Sequence, residues 1–455
     1  MQGRLYEPDA YRSGPVEGCF WHDGHAADWS GFDGPLHGSA TAEVAIIGGG
    51  FTGLSAALHL AQEHGIQATV LEAEVPGWGA SGRNGGFACL GGAKASDATI
   101  RRRHGLDDLK LFHAAQRASV DLVGGLLDAH GIDADRHSDG EVTLAHRPSE
   151  MAALEAEAAH LRAVAGIEGR IIAREELAGE GLSGPCFHGG LHLPVGFALN
   201  PFSYVRGLAR AVRTAGQTIH VDSPAGKISE TNGGWRITTP RGDLTARTLV
   251  IATNGYSSDA LPRWMQGRIL PAMSNIIVTR PLTPDEQAAQ GWTSDRMSFD
   301  SRTLLHYFRK MPDGRFLFGM RGGTRYTPED TARMRRLIRA DFEAMFPAWA
   351  GVETPYFWSG LIGMTARLAP FVAPIPGMQN AFAGLAYHGN GVAMGSYSGR
   401  ILAALAAGKK PDMPWPEVMQ AVPPRILLPR RPLLRLAYRW YGWRDGPAPG
   451  ALPRT

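Results

Sequence analysis

The sequence predicts an α/β fold, and three observations predict it. A short apolar run at 44–47, suited to a parallel strand buried on both faces, leads into G-x-G-x-x-G at Gly48, Gly50 and Gly53. A helix pattern follows, with Leu54, Leu58 and Ala61 on one face and Gly65 as its stop. A second strand, QATVLEA, then ends in Glu72, 19 residues after Gly53. Together they describe a Rossmann-like βαβ unit and a bound dinucleotide. The first glycine permits the tight turn, the second lets backbone approach a pyrophosphate, and the third allows helix and strand to pack closely. Phe51 and Thr52 open the helix, whose amides and positive dipole end face the phosphates. Glu72, with Ala73 beside it, stands where an acid holds the adenosine ribose.

Bulk properties narrow the function. A chain of 455 residues buries a large core, and two domains are the soft expectation. Its net charge of +3, without a basic stripe or RNA-binding module, argues against nucleic acid as a partner. Cys19, Cys89 and Cys186 lie far apart with no CxxC pair and no zinc spacing, so no metal site is expected and a reducing, cytoplasmic setting fits. No export signal is read at the N-terminus, and no apolar run of about 18 residues is present to span a bilayer.

The second strand leads directly into GWGASGRNGG, and a simple nicotinamide domain would instead keep alternating strand and helix. Glycines here allow close backbone approach to a ligand. Arg83 and Asn84 among them are either donors to that ligand or incidental residues of a surface turn. At 200–216, Asn200 caps a helix that begins on Pro201 and stops at Gly216. Strands follow to 253, with turns at 232–234 and 241–242. A second glycine cluster, Gly389, Asn390 and Gly391, precedes a helix in which Met394, Tyr397, Ile401 and Leu405 fall at helical spacing before Gly408.

Strand-GGGFTG-helix-strand-Glu72 followed by GWGASGRNGG resembles the D-amino-acid oxidase superfamily of FAD enzymes, and more narrowly its gamma-glutamylputrescine oxidoreductase-like group. CFWHD at 19–23, ALNPFSYVRGLARA, IATNGY, WSGLIGMTARLAPFVAPIPG and YHGNGVAMGSYSGRILAALAAG extend the likeness along most of the chain. The resemblance implies a glutathione-reductase-type FAD domain that is discontinuous, at 1–140, 190–262 and 355–408. A mixed-sheet substrate domain is expected at 141–189 and 263–354, and a basic, aromatic tail at 409–455. It also implies which residues surround FAD: the fingerprint already named, then Ala80, Ser81, Gly82, Arg83, Asn84, Gly85 and Gly86 of the loop. Ala225 lies beside the adenine, and Thr253, Asn254 and Gly255 lie close to the cofactor. Gly389, Asn390, Gly391 and Val392 open a helix aimed at the flavin pyrimidine edge, where its dipole stabilises the reduced anion.

The implied reaction removes a hydride from the carbon beside an amine and delivers it to flavin N5. The resulting imine hydrolyses to an aldehyde or keto product, and oxygen (giving H2O2) or another acceptor reoxidises the flavin. Some members attach FAD through cysteine or histidine; here the last cysteine is Cys186, so non-covalent FAD is expected. Tyr307 and Phe308 form an aromatic wall over the flavin or pack in a core, while His306 alternates to the face opposite Tyr307. Tyr387 and His388 precede the flavin-facing helix, and His388 is either catalytic or structural. Met364 lies in a loop near the flavin by resemblance. Arg321 and Arg325 hold a substrate carboxylate or are solvated.

A gamma-glutamyl-type amine is the first substrate expectation. A membrane-associated dehydrogenase of proline, pipecolate or sarcosine type is the enzymatic alternative, and a flavin-binding structural subunit the non-enzymatic one. In the tail, PRILLPRRPLLRLAYRWYGWRDG reads as a strap with Leu and Trp buried and arginines snorkelling, in preference to a membrane-surface segment, because Pro429 and Pro432 interrupt a long amphipathic helix.

Overall fold

A computed structural model describes residues 3–11, 14, 16–23 and 31–450. Residues 451–455 of the tail lie outside the described residues.

Strand Gly38–Ile47 is central to the first sheet. Its inner half is almost fully buried, and it pairs in parallel with Ala68–Leu71 on one side and Gly242–Ile251 on the other. The register aligns Ile47 with Leu71 and with Ile251, so three strands end at one edge. Gly48, Glu72 and Ala252 leave the sheet there together. Thr218–His220 and Ala381–Leu385 extend the parallel sheet outward, and Phe371–Pro374 closes it antiparallel. Lys227–Thr231 and Gly234–Thr238 form a meander on Gly242–Ile251.

Helix Phe51–His64 follows the glycine turn and ends on Gly65, whose φ of 63° is the left-handed cap. It crosses helix Ala393–Ala406 at Gly399, where an added Cβ would stand 2.5 Å from the Thr52 carbonyl oxygen. An added Cβ on Gly395 would stand 3.3 Å from Thr52 Oγ1, so the first turns of both helices lie side by side. Helix Pro201–Thr214 begins as expected, with Asn200 Oδ1 accepting from the Phe202 and Ser203 N–H groups at 3.1 Å.

The second sheet runs Tyr356–Met364, Leu270–Val278, Phe316–Arg321, His306–Lys310, Met297–Asp300, Glu141–Leu144, Gly190–Leu193, Arg170–Ile172. Only Met297–Asp300 against Glu141–Leu144 is parallel, so the sheet is mixed. Gly190–Leu193 and Tyr356–Met364 are strands of this sheet, although they fall within the bounds expected for the nucleotide domain. Their pairing partners lie far away in sequence, Tyr356 opposite Val278 and Gly190 opposite Leu144. The hairpin His306–Lys310 to Phe316–Arg321 turns at Gly314 (φ 79°).

The tail holds a short helix, Glu417–Gln420, and a longer one, Arg430–Asp445. Pro432 does not interrupt it, because it sits in the first turn, where its missing N–H has no intrahelical partner to lose. The expected burial of Leu and Trp largely fails: Leu434 is buried, beside Tyr438, while Leu427, Leu428, Leu436, Trp440 and Trp443 are exposed. Among the described residues no helix is long and apolar enough to cross a membrane.

Candidate active site: two adjoining cavities

The edge at which Ile47, Leu71 and Ile251 end opens into an elongated cavity. Of the residues expected around the cofactor, Gly48, Gly50, Phe51, Thr52, Glu72, Ala73, Ala80, Ser81, Asn84, Ala225, Thr253, Asn254, Gly389, Gly391 and Val392 line it. Four of these, Ala80, Asn84, Gly389 and Val392, also line a second cavity under the mixed sheet, as does Ile362. The two spaces therefore adjoin. Arg83, Gly85 and Asn390 line only the second. Gly53, Gly82, Gly86 and Gly255 line neither, and each is small for the backbone it touches. An added Cβ would stand 1.9 Å from Gly48 O, 2.3 Å from Gly77 O, 1.9 Å from Leu199 O and 2.7 Å from Leu361 O, respectively.

The first cavity suits a dinucleotide on several counts. Gly48 has φ 110° and its added Cβ would meet Ala252 O at 2.8 Å; that of Gly50 would meet Ser81 Oγ at 2.7 Å. Ser81 Oγ accepts from the Phe51 N–H at 3.0 Å, which ties the loop to the helix N-terminus. Glu72 Oε2 accepts from the Gly49 N–H at 2.5 Å and Oε1 from the Glu74 N–H at 3.1 Å. Burial pushes its carboxyl up to about 7, against which those two amides work. Ribose hydroxyls donating to it would stabilise the charged form. Asn254 (φ 40°) accepts from the Ala386 N–H at 2.9 Å through Oδ1, fixing the strand end at 253–255 against the segment that leads to Gly389.

Arg83 and Asn84 separate in role. Asn84 Nδ2 donates to Ala80 O and Ser81 O at 3.0 and 2.9 Å, and its Oδ1 accepts from the Gly86 N–H at 2.8 Å, so its amide orders the loop. The Arg83 guanidinium lies 4.0 Å over the Trp78 ring and donates through Nε to Trp78 O at 2.6 Å. Its Nη2 is buried without a partner among the described residues. The close backbone at Gly48 and Gly50, the Glu72 carboxylate at the strand edge and the residues shared by both cavities fit a cofactor that reaches from one into the other. The residues therefore fit FAD.

The second cavity has Tyr307 and Phe87 as an edge-to-face aromatic wall, with ring centroids 5.9 Å apart. The Tyr307 and Ser274 hydroxyls share a hydrogen bond of 2.8 Å, and burial pushes the phenol up to about 12. Phe308 is not part of this wall. Strand alternation turns it, with His306, to the opposite face, where Phe308 stacks on Phe318 at 5.8 Å in a fully buried aromatic core. His306 Nδ1 and Nε2 there meet Asp300 and Asp341 at 2.6 and 3.0 Å.

Cations dominate the second cavity. Arg83, Arg321 and Lys94 line it, and no carboxylate does among the described residues. Burial first and the neighbouring Arg321 second pull Lys94 down to about 8. Arg321 Nη2 donates to His388 O at 3.0 Å. Arg325, by contrast, pairs with Glu7 at 3.2 Å on the surface and takes no part.

Two residues expected as catalytic lie outside the lining of both cavities. His388 is fully buried and lines neither cavity. Its Nδ1 donates to Gly92 O at 2.9 Å and its Nε2 accepts from the Thr365 N–H at 3.3 Å, which fixes one neutral tautomer. Burial pulls it down to about 4, and the neutral ring ties Gly92 to Thr365. Met364 also lines neither cavity. Its strand carries it past the cavity into a cluster with Ala272, Leu434 and Tyr438, while Ile362 and Gly363 face the first cavity.

Lys94 and Ser274 were missed in the sequence. Lys94 follows the glycines of the loop by two residues, which was a usable signal; Ser274 carried none. Outside the cavities, Asp97 Oδ2 accepts from His113 Nε2 and His160 Nε2 at 2.6 and 2.8 Å. These three ligand-type groups, separate in sequence, were not foreseen when no metal site was expected.

The comparisons agree with this geometry. The family model described as FAD dependent oxidoreductase (DAO) matches residues 43–405. A protein of Rhizobium meliloti named probable oxidoreductase OrdL is 33% identical over 417 residues, covering 90% of this chain and 94% of that one. Gamma-glutamylputrescine oxidoreductase of Escherichia coli is 29% identical over 378 residues, covering 82% and 85%. The crystal structure of glycine oxidase from Geobacillus kaustophilus superposes with a TM-score of 0.67 at 21% identity, over 82% of this chain and 96% of that one. The chain belongs to the DAO family of FAD-dependent oxidoreductases, enzymes of amine and amino-acid oxidation.

Proposed function

We propose that this enzyme oxidises the C–N bond of an amine that also carries a carboxylate, with a gamma-glutamylated amine as the first candidate. One observation carries the reading: the cavity beside the nucleotide site is lined by Arg83, Arg321 and Lys94 and by no acid among the described residues. A carboxylate is attracted into that field. A free diamine, doubly cationic in water, is repelled. The name of the Escherichia coli relative supports the same class.

Bound FAD supplies the hydride acceptor, and the chain supplies position and field. Arg321 and Lys94 anchor the carboxylate, and the Tyr307–Phe87 wall confines the alkyl chain. The cationic surroundings disfavour the ammonium form of the reacting nitrogen, so the neutral amine, from which hydride leaves, is the species retained. The imine product then hydrolyses in water. FAD is held without a covalent bond. Cys89 is the one cysteine among the described lining residues, and burial keeps its thiol protonated while Asn390 Nδ2 donates to its sulfur at 3.2 Å.

Steady-state oxidation of gamma-glutamylputrescine, putrescine, proline and sarcosine by the wild type and Arg321→Met tests the reading. kcat/KM for gamma-glutamylputrescine should lie about a hundredfold above that for putrescine. Arg321→Met should raise KM for the carboxylated amine about tenfold or more with a smaller change in kcat. Equal turnover of putrescine, or an equal effect of the substitution on both substrates, contradicts it. Preference for proline or sarcosine would keep the carboxylate and replace the gamma-glutamyl candidate.

A further inference from the structure

The exposed apolar side chains of the described molecule gather at its C-terminal end. Leu427, Leu428, Leu436, Trp440 and Trp443 are 90, 64, 65, 56 and 74% exposed, and no other described large hydrophobic exceeds 40%. The helix Arg430–Asp445 organises them. Leu436, Trp440 and Trp443 stand at i, i+4 and i+7 and share one stripe. The opposite stripe, Leu434, Tyr438 and Asp445, is buried against the body. Exposed Arg435 and Arg439 flank the outer stripe on one side and exposed Arg444 on the other.

The helix is clamped in this orientation. Asp445 accepts from the Thr303 and Leu304 N–H groups at 3.0 and 2.8 Å, and Arg430 donates to Asp259 at 2.6 Å. Arg431 donates to Glu7 at 3.2 Å. The outward stripe is thus held out by contacts on the inward side.

We propose that this surface docks on an anionic lipid bilayer, with the helix lying in the headgroup plane. Charge and shape choose this occupant. From 418 to 450 the chain has six arginines and one acid, and that acid, Asp445, is turned inward. A second copy of the chain would set arginine rows against arginine rows with no exposed acid in the segment to pair them. A nucleic acid would satisfy the arginines and stack on the tryptophans, but would leave Leu427, Leu428 and Leu436 against water or phosphate. Lipid answers all three: acyl boundary for leucine, interface for the indoles, and anionic headgroups for arginine. The buried stripe packs in one cluster with Ile362, which lines both cavities, so the docked surface lies one layer from the active site.

Co-sedimentation of the full-length holoenzyme with vesicles tests the proposal, using phosphatidylcholine alone and an equal mixture of phosphatidylcholine and phosphatidylglycerol. The wild type should bind the mixed vesicles at least about tenfold more tightly than phosphatidylcholine alone. Trp440→Ser/Trp443→Ser should weaken binding about tenfold or more, and Arg435→Glu/Arg439→Glu should remove the preference for the anionic mixture. Both variants should keep the wild-type flavin spectrum and the wild-type activity in solution, which shows them folded. Brominated lipid should quench wild-type tryptophan fluorescence more than that of the Trp variant. The proposal is overturned if the wild type sediments with neither vesicle or if the Trp variant binds as the wild type does. A wild-type dimer that the Trp variant dissociates, or single-stranded nucleic acid displacing the vesicles from the helix, overturns it as well.

Discussion

Glu141 sits beside Cys89 of the second cavity, 4% exposed, with its Oε2 unpartnered among the described residues and its side chain against the Cys89 thiol. Burial raises its carboxyl from 4.5 to about 8. Because the folded value lies above the unfolded one, the stability it contributes is full below about 4.5 and is lost as pH rises through about 8. Glu141→Gln keeps the shape and removes the titration. Thermal melts from pH 5 to pH 9 should therefore show wild-type Tm falling between about pH 5 and pH 8 and levelling above that, with a flatter profile for the variant; parallel profiles would contradict the assignment. Little of this was visible in the sequence, because burial of a lone glutamate in GEVTL depends on strands that pair from far away. The same holds for His388. Its residue type suggested chemistry, and only its partners Gly92 and Thr365, from other segments, show that both ring nitrogens are taken.

Among elements, the hairpin His306–Lys310 to Phe316–Arg321 supplies Tyr307 and Arg321 to the second cavity. Its period-two alternation was legible: Tyr307 and His306 point to opposite faces, as the residue order requires. The same rule applied one residue further would have sent Phe308 to the core. The hairpin also contains the tightest test of the wall. An added Cβ on Gly319 would stand 2.1 Å from Tyr307 Cζ, so the ring lies directly on that glycine. Gly319→Ala must push the phenol off the strand and into the second cavity. Expected is a fall of about tenfold or more in kcat with normal FAD content, measured by steady-state turnover and the flavin spectrum. Unchanged kcat would remove Tyr307 from the wall. The C-terminal helix was harder to read. Two prolines suggested interruption, but Pro429 precedes the helix and Pro432 sits in its first turn, so neither breaks it.

At the scale of the molecule, the nucleotide half was legible because its signals are local. A strand, three glycines, a capped helix and an acid at a fixed distance needed no tertiary knowledge, and the parallel register then brought Gly48, Glu72 and Ala252 to one edge. The roof was less legible, since strands at 141–144, 190–193 and 356–364 join one sheet from three parts of the chain. That sheet sets the cationic cavity against the nucleotide cavity, and this junction is the central claim. Anaerobic titration of the purified holoenzyme with gamma-glutamylputrescine, followed through its visible flavin spectrum, tests it most directly. The oxidised flavin bands should bleach stoichiometrically, return on admission of air or an artificial acceptor, and stay unbleached by putrescine. A protein that takes up no FAD, or a flavin spectrum that no carboxylate-bearing amine alters, would contradict it.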